Sequence, residues 1–196
     1  MGLKQSNEIT VKIKCEVDEF YKILEDKGFE ITDKFSLEDA YFIPETLNLE
    51  EMSVREILAK ALLVRECIGK ISGNVIREIT FKRKNFDENG NILSQDSVNC
   101  NVYEIEDAKK LLKAIGYKEI MCTYEDDIVY GRNGLELAIK NIRNGDKLFE
   151  VETLDQEGFE TTEKLIERVK ELELPIYTDN FFVKKAEVEL SKVLDK

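Results

Sequence analysis

Strict alternation of apolar and polar residues marks the first strand that the sequence predicts. In NEITVKIK, residues 7–14, Ile9, Val11 and Ile13 share one parity while polar residues take the other. Successive side chains of a strand point to opposite faces, so this segment has one apolar face and one polar face. The pattern leaves open whether the polar face meets water or a ligand.

The rest of the chain mixes helical and strand patterns. Helices are predicted where apolar residues recur every three or four positions, and strands where alternation returns between turn signals such as Asn89-Gly90. The predicted helices are Glu16–Gly28, Ser53–Ala61, Asp107–Ile115, Thr161–Glu173 and Asp179–Leu194. The strands after the first are two extended pieces ending at Pro44, then Leu62–Ile68, Val75–Lys84, Ile92–Tyr103, Glu119–Tyr130, Leu135–Ile142 and Lys147–Thr153. About eight mainly antiparallel strands with flanking helices predict one α+β domain over residues 1–196. We expect its sheet to form a barrel or to be strongly curved.

Composition narrows the class of protein. The chain has 196 residues, 42% of them apolar and 36% charged, which is typical of a globular domain. A net charge of −12 argues against sequence-independent binding of nucleic acid, which needs a basic surface. No apolar run is long enough to span a membrane, and the first residues do not resemble a secretory signal, so a cytoplasmic protein is expected. A homodimer is left open.

Histidine is absent, and this removes several kinds of chemistry. The four cysteines are widely spaced and form no C-x-x-C pair, which argues against a zinc site. Neither a Ser-His nor a Cys-His catalytic pair can be built. General acid–base catalysis would therefore fall to Glu, Asp, Lys or Tyr.

The polar sides of the predicted strands combine cations with carboxylates. In chain order they carry Glu8, Thr10, Lys12 and Lys14; Arg65; Glu78, Thr80, Lys82 and Lys84; Gln95, Ser97, Asn99 and Asn101; and Glu150 and Glu152. Lys and Arg side chains can hold a phosphate chain, and Glu-x-Glu on one face offers two hard oxygen ligands to Mg²⁺ or Mn²⁺. For any single strand, a solvent-facing polar side is the simpler interpretation.

In chain order these motifs resemble the CYTH family, also called triphosphate tunnel metalloenzymes, which includes thiamine triphosphatases, tripolyphosphatases and class IV adenylate cyclases. The family's first-strand motif E-x-E-x-K is similar to the segment from Glu8 to Lys12. Its later motifs D-x-Y-F, R-I-R, L-T-x-K and F-x-E-x-E resemble Asp39–Phe42, Leu63–Arg65, Ile79–Lys82 and Leu148–Glu152. The resemblance covers most of the chain.

The resemblance implies an antiparallel eight-stranded tunnel barrel with flanking helices that binds a triphosphate and a divalent cation, Mg²⁺ or Mn²⁺. By position, Glu8, Glu150 and Glu152 would bind the metal, and Lys12, Arg65 and Lys82 would bind phosphate. The resemblance makes Glu8, Lys12 and Glu150 the candidate catalytic residues. Lys14 has no matching family position, although it shares the polar parity.

Several positions depart from the family pattern and put catalysis in doubt. They are Thr10, Leu63, Asn99, Asn101, Glu125, Asp127 and Lys140. Glu125 and Asp127 fall near an expected K-x-R pair, and Lys140 near an expected aspartate, so the charge is inverted at both places. We expect Lys140 to pair with Glu125, Glu150 or Glu152 in an internal ionic network.

Three functions therefore stay open at this point. The first is a metal-dependent phosphohydrolase acting on a triphosphate-bearing small molecule. The second is a catalytically degenerate CYTH-like protein that binds a phosphorylated or zwitterionic ligand, and the third is a class IV-type adenylate cyclase. A purely structural role is the remaining alternative. The expected partner of the first three is a small molecule, not a nucleic acid or a membrane.

Overall fold

The computed structural model describes residues 8–86, 92–152 and 161–194, with the backbone alone at 8, 83–86, 92–96 and 152. Its strands are β1 (Glu8–Lys12), β2 (Glu30–Pro44), β3 (Leu62–Gly69), β4 (Val75–Phe86), β5 (Ile92–Asn101), β6 (Tyr117–Arg132), β7 (Leu135–Asn141) and β8 (Lys147–Glu152). Its α-helices are α1 (Val17–Asp26), α2 (Val54–Leu58), α3 (Ile105–Ala114), α4 (Thr162–Glu171) and α5 (Lys185–Leu194). The predicted turn at Asn89-Gly90 lies outside the described residues.

The strands form one antiparallel sheet in the order β1-β8-β7-β6-β2-β3-β4-β5, flanked by the five helices. This confirms the predicted α+β class and the eight antiparallel strands. Over the described residues the order is open rather than closed, with β1 and β5 at its two ends. No helix in the described part of the chain is long and apolar enough to cross a membrane.

The chain divides into two compact units, each built from separate stretches of sequence. The first unit consists of Met1–Phe35 and Glu125–Lys184, and the second of Ser36–Tyr124 and Lys185–Lys196. The expectation of a single domain over residues 1–196 stays a prediction.

The core of the first unit lies between one face of its strands and the helices α1 and α4. Alternation in β1 sends Ile9 and Val11 into this core, where they pack with Phe20 of α1, Phe149 of β8 and Val169 of α4. All five are buried. The opposite parity of the same strands is thereby left as a polar face, as the sequence predicts.

The second unit has two smaller apolar clusters. One joins β2 and β3 to α3 through Phe42, Val64 and Leu112, and the other joins α2 to α5 through Ile57 and Leu190. A capping box begins α2, since the side chains of Ser53 and Glu56 each accept a hydrogen bond from the other's backbone N–H.

The second edge of β1 is occupied by the segment from Pro175 to Val183. The amide of Thr10 donates to the carbonyl of Phe181, and its carbonyl accepts from the amide of Val183, at 3.0 and 2.9 Å. The predicted start of the last helix at Asp179 is therefore wrong: backbone groups that pair with β1 cannot also form a helix, so α5 begins at Lys185.

The region before Pro44 also differs from its prediction. It is one strand of 15 residues, β2, rather than two short pieces. Asp33 and Ser36, both weak strand formers, interrupt its pattern. The strand is continuous because it lies inside the sheet, between β6 and β3, where neighbours on both sides hold its backbone.

Candidate functional site

The first unit presents a polar face that is rich in carboxylates. We call it the acidic face; its members on β1, β6, β7 and β8 are Glu8, Thr10, Lys12, Glu125, Asp127, Lys140, Glu150 and Glu152. Strand register brings them to one side: Glu8 lies opposite Glu152 and Thr10 opposite Glu150 in the β1–β8 ladder. Three residues that the sequence predicts as metal ligands thus share one two-strand ladder.

Four of the departures from the family pattern, Thr10, Glu125, Asp127 and Lys140, lie on the same face. The register that pairs Ile128 with Ile139 and bridges Glu125 with Ile142 places Asp127 across from Lys140. Glu125 and Asp127 are only 2% and 1% exposed. The side chains that invert the expected charge are therefore buried within the face rather than solvated.

Lys140 is paired with one of the predicted metal ligands. Its Nζ lies 3.0 Å from Oε2 of Glu150, and both side chains are mostly buried, at 17% and 20% exposed. The hydroxyl of Thr10 donates to the same oxygen over 3.5 Å. The expectation that Lys140 would pair with a nearby glutamate is confirmed, with Glu150 as the partner.

Lys12, predicted to bind phosphate, also has an ionic partner. Its Nζ lies 2.5 Å from Oδ2 of Asp146, which is in the turn between β7 and β8. The two side chains are 42% and 26% exposed, so this pair is more open to solvent than Lys140 and Glu150. Sequence reasoning did not single out Asp146, because a turn residue gives no alternation signal.

The second unit has a polar face of a different character. We call it the Arg65 face; it consists of Arg65 on β3, Glu78, Thr80 and Lys82 on β4, and Ser97, Asn99 and Asn101 on β5. The registers place Arg65 opposite Glu78, Glu78 opposite Asn101, and Lys82 opposite Ser97. The predicted phosphate ligands Arg65 and Lys82 therefore share one side of adjacent strands, while Lys12 belongs to the first unit.

A buried carboxylate orients the guanidinium of this face. Asp39 of β2 is fully buried and accepts hydrogen bonds from Nε and Nη2 of Arg65, both at 2.7 Å. Lys185, the first residue of α5, donates to the same carboxylate over 3.2 Å. Sequence analysis matched Asp39 to a family motif, but it missed Lys185, because nothing in the sequence connects these two distant residues.

The charge balance of this cluster is positive. Burial raises the pKa of Asp39, but hydrogen bonds from Arg65 and the charges of Lys185 and Arg65 outweigh it and lower the pKa to about 2. The carboxylate is therefore ionised at neutral pH and faces two cations, so that the three side chains of Asp39, Arg65 and Lys185 together carry a charge of +1.

One polar atom on the Arg65 face is buried without a partner. Thr80 is 2% exposed, and its hydroxyl has no hydrogen-bond partner among the described residues. Buried hydroxyls in native proteins are nearly always paired with protein, water or a ligand. Its position on β4, between Glu78 and Lys82, puts an available donor beside the two predicted phosphate ligands.

The described side chains do not fit a divalent metal at Glu150. The resemblance assigns Mg²⁺ or Mn²⁺ to Glu8, Glu150 and Glu152, but the side chains of Glu8 and Glu152 lie outside the described ones. At Glu150 the ammonium of Lys140 already holds one carboxylate oxygen. Over the part of the chain whose side chains are described, no three acidic or cysteine residues are grouped to hold a metal ion.

Several solved structures of low sequence identity have the same fold. A Pyrococcus horikoshii OT3 protein matches with a TM-score of 0.63 and 20% identity, over 90% of this chain and 96% of its own. A candidate adenylate cyclase from Vibrio parahaemolyticus matches with a TM-score of 0.59 and 12% identity, over 100% of both chains. A candidate adenylyl cyclase from Hippeastrum with a dominant triphosphatase activity matches with a TM-score of 0.53 and 14% identity, over 94% of this chain and 96% of its own. No protein-family model and no curated protein matches the sequence.

The sequence motifs and the structural likenesses agree. The motifs pointed to a fold shared by triphosphatases and adenylate cyclases, and the solved structures that this chain resembles across nearly its whole length include candidate adenylate cyclases. At these low identities the likeness defines the architecture. The chain therefore has a CYTH-like fold.

Proposed function

We propose that this protein binds the triphosphate group of a small molecule, and that the Arg65 face is the phosphate-binding part. The observation that carries the proposal is the cluster of Arg65 and Lys185 on the buried carboxylate of Asp39. Asp39 holds two cations, so these three side chains carry one positive charge in excess, and Lys82 of the same face offsets the charge of Glu78 opposite Arg65.

The geometry of Arg65 suits this role. Its side chain is 25% exposed, and two of its nitrogens are bound by Asp39, so the planar guanidinium is held in one orientation. A guanidinium that is ordered before binding loses less conformational entropy when an anion arrives. Lys82 follows on the same face, and the hydroxyl of Thr80 provides a neutral donor between them.

Hydrolysis of the bound triphosphate is the second candidate function. The observation that favours it is the fold shared with the Hippeastrum protein, whose dominant activity is that of a triphosphatase. Glu8, Lys12 and Glu150 are the residues that hydrolysis would require on the acidic face. The pairing of Lys140 with Glu150 argues instead for binding without turnover, because it engages a residue that a metal-dependent enzyme needs. Cyclisation of ATP is tested by the same experiment.

Thermal melting tests binding, and product release tests turnover. The protein is melted with tripolyphosphate, thiamine triphosphate or ATP, each with and without Mg²⁺ or Mn²⁺, while phosphate and pyrophosphate are assayed in parallel. A ligand at 100 times its dissociation constant stabilises the folded state by about 2.7 kcal/mol, which raises the melting temperature measurably. We expect such an increase with at least one triphosphate. Phosphate release would establish hydrolysis, and pyrophosphate from ATP would establish cyclisation.

Two variants of the Arg65 face locate the binding. Lys82→Met removes a cation without touching Asp39 and should abolish most of the ligand-induced shift, as should Arg65→Met. Arg77→Met is the matched control, because Arg77 is also on β4 and salt-bridged, to Glu66, but has the opposite parity. The proposal is wrong if no triphosphate shifts the wild type, or if all three variants keep the full shift.

A further inference from the structure

The ammonium group of Lys140, on the acidic face, lies directly against a predicted metal ligand. Lys140 Nζ and Glu150 Oε2 are 3.0 Å apart, and the hydroxyl of Thr10 donates to the same oxygen. This oxygen therefore already has a cation and a neutral donor, both supplied by the protein.

Other carboxylates of the face are placed around the same lysine. Asp127 lies across from Lys140 in the β6–β7 register, and Glu125 is two residues before it on the same side of β6. Both carboxylates are buried. Charges that are removed from water interact strongly and must be balanced nearby. The ammonium of Lys140 thus lies where buried negative charge is concentrated on this face.

We propose that Lys140 is a built-in cation that replaces a divalent metal ion at Glu150. A metal bound by Glu150 would have to lie within a few ångström of the ammonium, where repulsion between the two cations is strong. The native protein should therefore not bind Mg²⁺ or Mn²⁺ through Glu150. This inference concerns the acidic face alone and does not depend on whether the Arg65 face binds a triphosphate.

The proposal has a consequence that can be measured. Without Lys140, the carboxylates of Glu125, Asp127 and Glu150 would stay on the face, but the ammonium that holds Glu150 would be gone. Carboxylate oxygens are the ligands that hard divalent ions prefer. Removal of Lys140 should therefore allow a divalent metal ion to bind at Glu150, from which the wild type excludes it.

The experiment titrates the full chain with Mn²⁺ alone and measures free Mn²⁺ by electron paramagnetic resonance. In the wild type we expect no Mn²⁺ binding attributable to Glu150. Lys140→Met should bind about one Mn²⁺ per chain, with an affinity at least about tenfold above any that the wild type shows. Lys22→Met is the matched control, since Lys22 is an exposed residue of α1 and its loss changes the net charge equally. The gain should disappear when Glu150→Gln is added to Lys140→Met.

Two results would overturn the proposal. One is Mn²⁺ binding by the wild type that Glu150→Gln removes, which would show that the metal and Lys140 coexist; this titration needs no lysine variant. The other is a Lys140 variant that folds but binds no more Mn²⁺ than the wild type. If Lys140→Met fails to show a cooperative melt, Lys140→Gln, which keeps a donor for Glu150, is titrated instead. Because no triphosphate is present, a failure here is distinct from a failure of triphosphate binding.

Discussion

Asp39 is the residue whose environment has the clearest energetic consequence. Its carboxylate is fully buried, and burial, which raises the pKa, is outweighed by Arg65 and Lys185, so that the pKa falls to about 2. An unfolded chain gives aspartate a pKa near 3.9. The lower value in the folded state means that the ionised form stabilises the protein above about pH 4 and that this stabilisation is lost as the pH falls toward 2.

We therefore expect Asp39 to contribute about 2 to 3 kcal/mol to the acid sensitivity of the fold. Urea unfolding of the wild type at a series of pH values should show this loss between pH 4 and pH 2. Asp39→Asn should be destabilised at pH 7 by about 3 kcal/mol, because Arg65 and Lys185 lose their shared anion, and it should lack that part of the acid-dependent decline.

A matched exposed residue separates this effect from general acid unfolding. Asp179 is exposed, so Asp179→Asn should have the stability and pH dependence of the wild type. If Asp39→Asn and the wild type lose stability in parallel below pH 4, the carboxylate is not held ionised as described.

At the residue scale, the sequence predicted charge partners where a local pattern existed. Lys140 was assigned to the glutamates of the acidic face because it replaced an expected anion on a strand of known parity, and it pairs with Glu150. The partnership of Lys185 with Asp39 could not be predicted, because the two residues are 146 positions apart and Lys185 belongs to a helix whose start was misplaced. Side-chain contacts of this kind depend on tertiary structure.

At the element scale, the strands were more predictable than the last helix. Alternation in β1 and β8 and the turns between β6, β7 and β8 gave these strands nearly their observed limits. The segment before α5 was misassigned because Phe181, Phe182 and Val183 form an apolar run, which is compatible with either a helix or a strand. Pairing with β1, set by tertiary structure, decides in favour of the extended form.

This pairing predicts very different roles for two adjacent phenylalanines. Phe181 is 8% exposed and belongs to the core of the first unit, whereas Phe182 is 45% exposed. Phe181→Ala should lower the free energy of unfolding by about 3 to 5 kcal/mol, because it removes a buried ring and leaves a cavity. Phe182→Ala should lower it by about 1 kcal/mol or less.

Urea unfolding of both variants provides the measurement, and each variant is the control for the other. In a helix beginning at Asp179 the two side chains would have no such strict inside and outside alternation. Equal losses of stability in the two variants would therefore contradict the extended pairing of this segment with β1.

At the scale of the whole molecule, the boundaries between the two units fall inside secondary structure. Phe35 and Ser36 are consecutive residues of β2, and Tyr124 and Glu125 are consecutive residues of β6. Independent domains are normally joined by exposed linkers that few contacts cross. Here unfolding of one unit would remove part of a strand whose residues continue into the other unit.

We therefore expect one cooperative unfolding transition for the whole chain. The sequence contains seven tyrosines and no tryptophan, so tyrosine fluorescence and far-ultraviolet circular dichroism are suitable probes. Their urea transitions should coincide, because two-state unfolding gives every probe the same midpoint.

Phe181→Ala, whose change lies in the first unit, should shift both curves equally. A variant of the second unit's core, Ile57→Ala, should shift both in the same way, since Ile57 is fully buried there. Separate midpoints, or a core substitution that moves only part of the transition, would show that the two units unfold independently despite the strands they share.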